Sequence, residues 1–148
     1  MNIKELINEN KQKHVFGVAQ FMYNEAPKYN LDSEKMYVLG LLHDIGYLCG
    51  DFSKHEEYGA NLMKELGFIY SEEISLHGYY PGKCDVNNIS KEALLLMAAD
   101  SCVNYKGDVG TYEDRRKDIE DRYGDDKDVF LERFDKRIKL LKENGFNY

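Results

Sequence analysis

Apolar positions recur along this chain with the period of a helix. Val15, Val18, Ala19 and Met22 predict a helix over about residues 11–25, ending near Pro27. Asp32 or Ser33 is placed to cap a second helix, which runs through Met36, Leu39 and Leu42 to the pair His43-Asp44, where Gly46 breaks it. Ser53 stands as the cap of a third, with Tyr58, Leu62 and Leu66 on its apolar stripe and Gly67 as its stop. Ser71 opens a short piece through Ile74 to His77. Ser90 caps a very apolar helix, Ala93 to Ala99, that ends at Asp100. A charged helix follows over Tyr112 to Arg122. A long last one puts Phe130, Phe134, Ile138 and Leu141 on one stripe, with Gly145 after it. No segment shows the alternation of a half-buried strand, so the expected fold is all-α.

A chain of 148 residues is the length of one ordinary domain and is long enough to bury a core without staples. There is no repeat, low-complexity tract or linker, and only Pro27 and Pro81 are prolines. The expectation is a single domain over 1–148, with a core at about 11–102 and a C-terminal helical extension at about 108–144. The charge is unbalanced, 20 Lys+Arg against 27 Asp+Glu, for a net charge of −7. An acidic chain is a poor partner for nucleic acid or an anionic membrane, because both attract basic surfaces. A phosphate-bearing substrate would need a local source of positive charge, and a bound metal ion is the obvious one. Met1 to Lys13 is polar, without the apolar stretch of a signal peptide. Cys49, Cys84 and Cys102 are widely spaced and odd in number, which fits neither a disulfide framework nor a cysteine zinc cluster and points to a reducing cytoplasm.

The four histidines carry the chemistry. His14 shares a helix face with Val18 and Phe21, and His43 ends an apolar helix. His55 shares a face with Tyr58 and Leu62, and His77 ends a short amphipathic piece. All four can converge on one interior, although any one of them alone is more often a hydrogen-bonded core residue. Asp44 directly follows an apolar helix, and Asp100 ends a run that must be buried. Carboxylates are rarely buried without a partner, and a cation is a natural one. Imidazole nitrogens with carboxylate oxygens suit first-row transition metals better than Ca²⁺ or Mg²⁺.

With these residues the chain resembles the HD-domain metal-dependent phosphohydrolases. It carries His43-Asp44-Ile45-Gly46, with His14 upstream and Asp100 downstream, and the resemblance runs from about His14 to about Cys102. Within that superfamily it is similar to small stand-alone bacterial proteins that include symmetrical diadenosine tetraphosphate hydrolases. The resemblance implies a five-helix core bundle with additional C-terminal helices. It implies that His14, His43, Asp44 and Asp100 bind one metal, and that Asp44 bridges to a second held also by His55 and His77. A water or hydroxide between the two would be the nucleophile, with Asp44 as the catalytic residue. The ions would be divalent transition metals, iron first, with manganese, nickel, zinc or cobalt in its place. If His55 and His77 do not ligate, the site holds one ion. The implied activity is hydrolysis of a nucleotide or dinucleoside polyphosphate by a monomer or homodimer. The alternatives are a mixed-valent di-iron oxygenase on the same six ligands and a non-catalytic nucleotide-binding module.

Two departures stand out. Many two-metal relatives have a lysine where this chain has Tyr47, which can donate a hydrogen bond but carries no positive charge at neutral pH. Lys54 or Lys83 could take the lysine's place beside a substrate phosphate. The segment from Gly78 to Lys83 also differs from the tetraphosphate hydrolases. Tyr79 and Tyr80 could stack a nucleobase or simply cover the pocket. The charges of Tyr112 to Arg122 read mainly as a solvated helix with i,i+4 ion pairs, the sharper alternative being that one arginine reaches a substrate phosphate. The Phe130 stripe reads as core closing over the bundle. Gly107 and Gly110 read as a flexible loop near the mouth of the site.

Overall fold

The computed structural model describes residues 9–49 and 52–148. The reading of Met1 to Lys13 as a polar segment therefore lies mostly outside the described residues. Seven α-helices are described: α1 (Glu9–Glu25), α2 (Ser33–Leu42), α3 (His55–Glu65), α4 (Ser71–Leu76), α5 (Lys91–Asp100), α6 (Tyr112–Arg122) and α7 (Lys127–Glu143). Short 3-10 turns follow α1 (Ala26–Tyr29) and link α2 to α3 (Ile45–Cys49 and Phe52–Lys54). Among the described residues there is no strand, only an isolated bridge between Val103 and Val109. The all-α expectation holds. No described helix is long and apolar enough to cross a membrane.

Local chemistry explains most boundaries. Asp32 caps α2 by accepting from Lys35 N at 2.9 Å, and Ser90 caps α5 by accepting from Ala93 N at 3.1 Å. Thr111 and Asp114 form a reciprocal capping box at the start of α6. The third expected cap is corrected: the N-cap position of α3 is Lys54, without a side-chain cap, and Ser53 lies in the preceding 3-10 turn.

The core sits where α1, α2 and α5 meet. Val18, Ala19, Met22, Met36, Leu39 and Leu95 are fully buried, and the whole run Ala93–Ala99 lies inside. α1 and α2 pack with nearly touching backbones. A Cβ on Gly40 would stand 2.6 Å from Ala19 Cα, so only glycine permits the approach. α7 closes over the bundle with Phe134, Ile138 and Leu141. Two stripes were drawn too long. Leu66 is 70% exposed, and α3 instead buries Gly59, Ala60 and Met63. Phe130 is 40% exposed and meets Tyr123 edge-on at 5.0 Å. Each residue sits at the end of its stripe, where the neighbouring helix no longer covers it. The Gly107 region is a built turn, not a loose loop. Asn104 N donates to Asp108 O, Gly110 N donates to Cys102 O, and Gly107 backs onto the Lys13 carbonyl of α1.

Candidate metal centre

The end of a helix leaves its last carbonyls without intrahelical partners. His43 and His77 use this. Each is the C-cap residue of its helix, and each has Nδ1 2.6 Å from the carbonyl three residues back, Gly40 for His43 and Ile74 for His77. A carbonyl only accepts, so Nδ1 carries a proton in both rings and Nε2 is the nitrogen that faces the site. His14 of α1 follows the same rule, with Nδ1 3.1 Å from Asn104 O. His55, the first residue of α3, has Nδ1 3.3 Å from the Glu56 carboxylate. All four rings thus turn Nε2 toward the site, the nitrogen a metal ion would take in place of any proton it carries.

The Nε2 atoms converge on Asp44, and they divide between its two oxygens. Oδ1 lies 3.4 Å from His55 Nε2 and 3.4 Å from His77 Nε2. Oδ2 lies 3.3 Å from His43 Nε2 and 3.8 Å from His14 Nε2. Asp100, the last residue of α5, sets Oδ1 2.8 Å from His14 Nε2 and 3.5 Å from His43 Nε2. Two groups able to hold a metal ion result: His14, His43 and Asp44, and Asp44, His55 and His77. Asp44 belongs to both, and Asp100 stands against the first.

The donors fit a cation on grounds independent of any family. His55 Nε2 and His77 Nε2 lie 2.9 Å apart, close enough to share a proton in the metal-free protein or one metal ion in its place. Donor atoms on adjacent positions of an ion with bonds of about 2.1 Å are about 3.0–3.4 Å apart, the spacing seen here. His43 Nε2 is fully buried and makes no well-formed hydrogen bond among the described residues, its nearest acceptors being Asp44 Oδ2 at 3.3 Å and Asp100 Oδ1 at 3.5 Å, a geometry that suits a shared cation better than a direct bond. Electrostatics agree. Burial pulls the His43 imidazolium down, but the Asp44 and Asp100 carboxylates outweigh it and raise its pKa to about 10. Burial likewise disfavours the Asp44 and Asp100 carboxylates, but the surrounding histidines hold both well below the usual range. The site is tuned for positive charge.

Gly46 explains the tight turn of the motif. A Cβ there would lie 1.7 Å from His55 O and 2.8 Å from Gly59 N, both backbone atoms of α3. The missing side chain lets the Ile45–Cys49 turn touch α3 and brings His55 to Asp44. Tyr47 then stacks on the His55 ring at 4.1 Å, and Lys11 Nζ lies 3.9 Å above the Tyr47 ring and 3.3 Å from Asp44 Oδ2. The Tyr47 phenol is pushed above its ordinary range by burial and by Asp44 and Asp100, so it remains a donor at neutral pH.

The centre opens into a cavity of about 880 Å³. His14, Asp44, His55, His77 and Asp100 line it, as do Tyr47 and the exposed Lys83. Lys54, at the N-cap of α3, is exposed and is not among the residues lining the cavity. Tyr80 faces the cavity while Tyr79 is buried.

The sequence reading missed several neighbours. Lys11 precedes His14 by three residues and shares its face. Glu56 orients His55. Arg137 of α7 donates to the carbonyls of Tyr79 at 2.8 Å and Gly78 at 3.0 Å, which ties down the chain just after His77. α6 is not only a solvated helix. Arg116–Glu120 and Arg122–Asp118 are i,i+4 ion pairs as expected, but Arg115 and Arg122 line the cavity as well.

Comparison with known proteins adds the family. The HD domain model matches residues 12–105. The uncharacterized protein MJ0778 of Methanocaldococcus jannaschii is 35% identical over 71 residues, which cover 45% of this chain and 42% of that protein. The matched stretch is thus less than half of that relative's length. No solved structure gives a significant match.

Proposed function

The chain belongs to the HD domain family, and from that premise we propose that it is a metal-dependent phosphohydrolase acting on a nucleotide or dinucleoside polyphosphate. The observation that carries this reading is the Asp44 carboxylate, whose two oxygens face two separate histidine pairs at 3.3–3.8 Å. In this reading His14, His43, Asp44 and Asp100 hold one divalent transition-metal ion. Asp44, His55 and His77 hold a second. Iron is the first candidate, with manganese, nickel, zinc or cobalt in its place. Ions bound there would lower the pKa of water toward neutrality and stabilise the attacking and leaving oxygens of phosphoryl transfer.

The chain's own residues supply the rest. The Nδ1 donations of His14, His43 and His77 to backbone carbonyls fix ring orientation before any ligand arrives. Glu56 does the same for His55 and raises its basicity. Arg137 holds the Gly78 and Tyr79 carbonyls, so the segment after His77 keeps its place at the cavity edge. Lys11, lying over the Tyr47 ring and paired with Asp44, and the exposed Lys83 add positive charge to the cavity wall, which favours a phosphate-bearing substrate. Tyr47 offers a phenolic hydrogen bond where many relatives have a lysine.

The test is phosphate release from mononucleotides, diadenosine tetraphosphate and cyclic dinucleotides by protein loaded with Fe²⁺ or Mn²⁺. Turnover is expected in the wild type, with a loss of about a thousandfold or more in Asp44→Ala while helical content is kept. Retained turnover in Asp44→Ala overturns the reading. So does oxygen consumption by the iron-loaded protein without phosphate release, or tight nucleotide binding without turnover when metal is present.

A further inference from the structure

The cavity holds more positive charge than the metal centre uses. Six cations line it: Lys11, Lys83, Arg115, Arg122, Arg133 and Arg137. In a chain of net charge −7 that is a local reversal of sign. The four arginines come from α6 and α7, outside residues 12–105 that match the family.

Their bonding separates them. Arg137 is committed to the Gly78 and Tyr79 carbonyls. Arg115 and Arg122 share a single carboxylate, Asp118, Arg115 through Nη1 at 2.5 Å and Arg122 through Nε at 2.6 Å and Nη2 at 2.8 Å, which leaves each its remaining Nη donors. Arg133 lies over the rings of Tyr80 at 5.4 Å and Phe130 at 5.9 Å, and among the described residues no carboxylate pairs with it. Three guanidiniums thus answer one acid. The Arg122 guanidinium also lies over the Tyr105 ring at 4.1 Å. No hydrogen bond or ion pair links these three arginines to Asp44 or Asp100, so they are not satisfying the candidate ligands. Guanidinium groups resting against aromatic rings, with no carboxylate on Arg133 among the described residues and only one between Arg115 and Arg122, are suited to charge-assisted recognition of phosphate. The volume of about 880 Å³ is near the upper end for small-molecule sites and exceeds what one phosphate group needs.

We propose that Arg115, Arg122 and Arg133 form a second anion subsite, distinct from the candidate metal centre, that holds a non-reacting phosphate. The substrate class is then a compound with two or more phosphates, a nucleoside di- or triphosphate or a dinucleoside polyphosphate, in preference to a monophosphate. This rests on the phosphohydrolase reading for the reacting phosphate but uses none of its ligands.

Inorganic tripolyphosphate is the probe. Calorimetric titration of the chelator-treated full chain should show binding. Arg133→Gln should weaken it about tenfold or more, and the double variant Arg122→Gln/Arg133→Gln further, as expected for lost charge-assisted hydrogen bonds. Lys117→Gln, which removes a charge from the exposed side of α6 outside the cavity lining, should leave it unchanged. In the Mn²⁺-loaded enzyme, Arg133→Gln should raise KM for a nucleoside triphosphate about tenfold without changing kcat/KM for p-nitrophenyl phosphate. Absence of tripolyphosphate binding, or equal binding by Arg133→Gln and Lys117→Gln, overturns the subsite even if phosphate esters are hydrolysed. Arg133-dependent binding in a protein that hydrolyses nothing upholds the subsite and overturns the phosphohydrolase reading alone.

Discussion

Replacing Gly46 by alanine probes how the second histidine pair is brought to Asp44. The new Cβ would stand 1.7 Å from His55 O, 2.6 Å from His55 C and 2.8 Å from Gly59 N. All three are backbone atoms, so no rotamer change relieves the clash. Ordinary contact begins at about 3.4 Å, so the turn and the start of α3 must separate by about 1.7 Å. His55 moves with α3. Its Nε2, now 3.4 Å from Asp44 Oδ1, then lies too far to share an ion with that oxygen. His14, His43 and Asp100 are on other elements and stay in place. Overpacking of this kind costs about 1–3 kcal/mol, which lowers Tm by about 2–12 °C in a chain of this size. Metal content after dialysis against a weak chelator, measured beside a thermal melt, is the assay. Gly46→Ala should keep about one ion per chain where the wild type keeps about two. An unchanged metal content with an unchanged Tm would refute the steric reasoning.

Other consequences follow from the same geometry. In the metal-free protein the raised His43 pKa contributes stability that is complete below about pH 6.5 and is lost as pH rises through about 10. The depressed Asp44 and Asp100 contribute stability above about pH 4 that is lost in acid. The Tm of chelator-treated protein should therefore fall between pH 6 and pH 9, and a flat profile would contradict the assignment. Divalent metal uptake at pH 7 should release protons, since the His43 proton must leave, and calorimetry in buffers of different ionisation enthalpy reads this directly. Glu56→Gln should weaken the second ion about tenfold by loosening His55 while sparing the first, and equal loss of both would argue against the pairing. Arg137→Gln should destabilise by about 1–3 kcal/mol, because it leaves buried carbonyls unpaired, whereas Lys117→Gln should not, and denaturant melts of the two decide it.

Much of this was legible in the residues. Helical periodicity placed α1, α2 and α5–α7 because their apolar positions are set by one packed face each. The inward histidines were legible for the same reason. The stripe ends were not: Leu66 and Phe130 keep the period but outrun the helix that covers it. Ser53 looked like a cap, but the 3-10 turn before α3 takes up that residue. The cavity arginines were legible only in part, those of α6 as the sharper alternative and those of α7 not at all, because charge in a helix is normally solvated. Yet Arg115 and Arg122 lie four before and three after the buried Ile119, so they share its face. Arg133 and Arg137 each follow Phe130 and Phe134 by three on the same side of α7. Position relative to the buried residue was the available signal, and residue type hid it. Lys11, three before His14, was hidden the same way. Glu56 and the close contact of Gly46 depend on how α3 docks, which one-dimensional spacing does not encode.

In the proposed site six side chains hold two divalent transition-metal ions bridged by Asp44. Elemental analysis of the protein, purified without chelator and without oxygen, tests it most directly. The expected content is close to two transition-metal ions per chain, with iron prominent. A content near one would contradict the bridged pair and leave His55 and His77 as neighbours of a single-ion site. No metal, even after reconstitution with Fe²⁺ or Mn²⁺, would contradict the metal centre altogether.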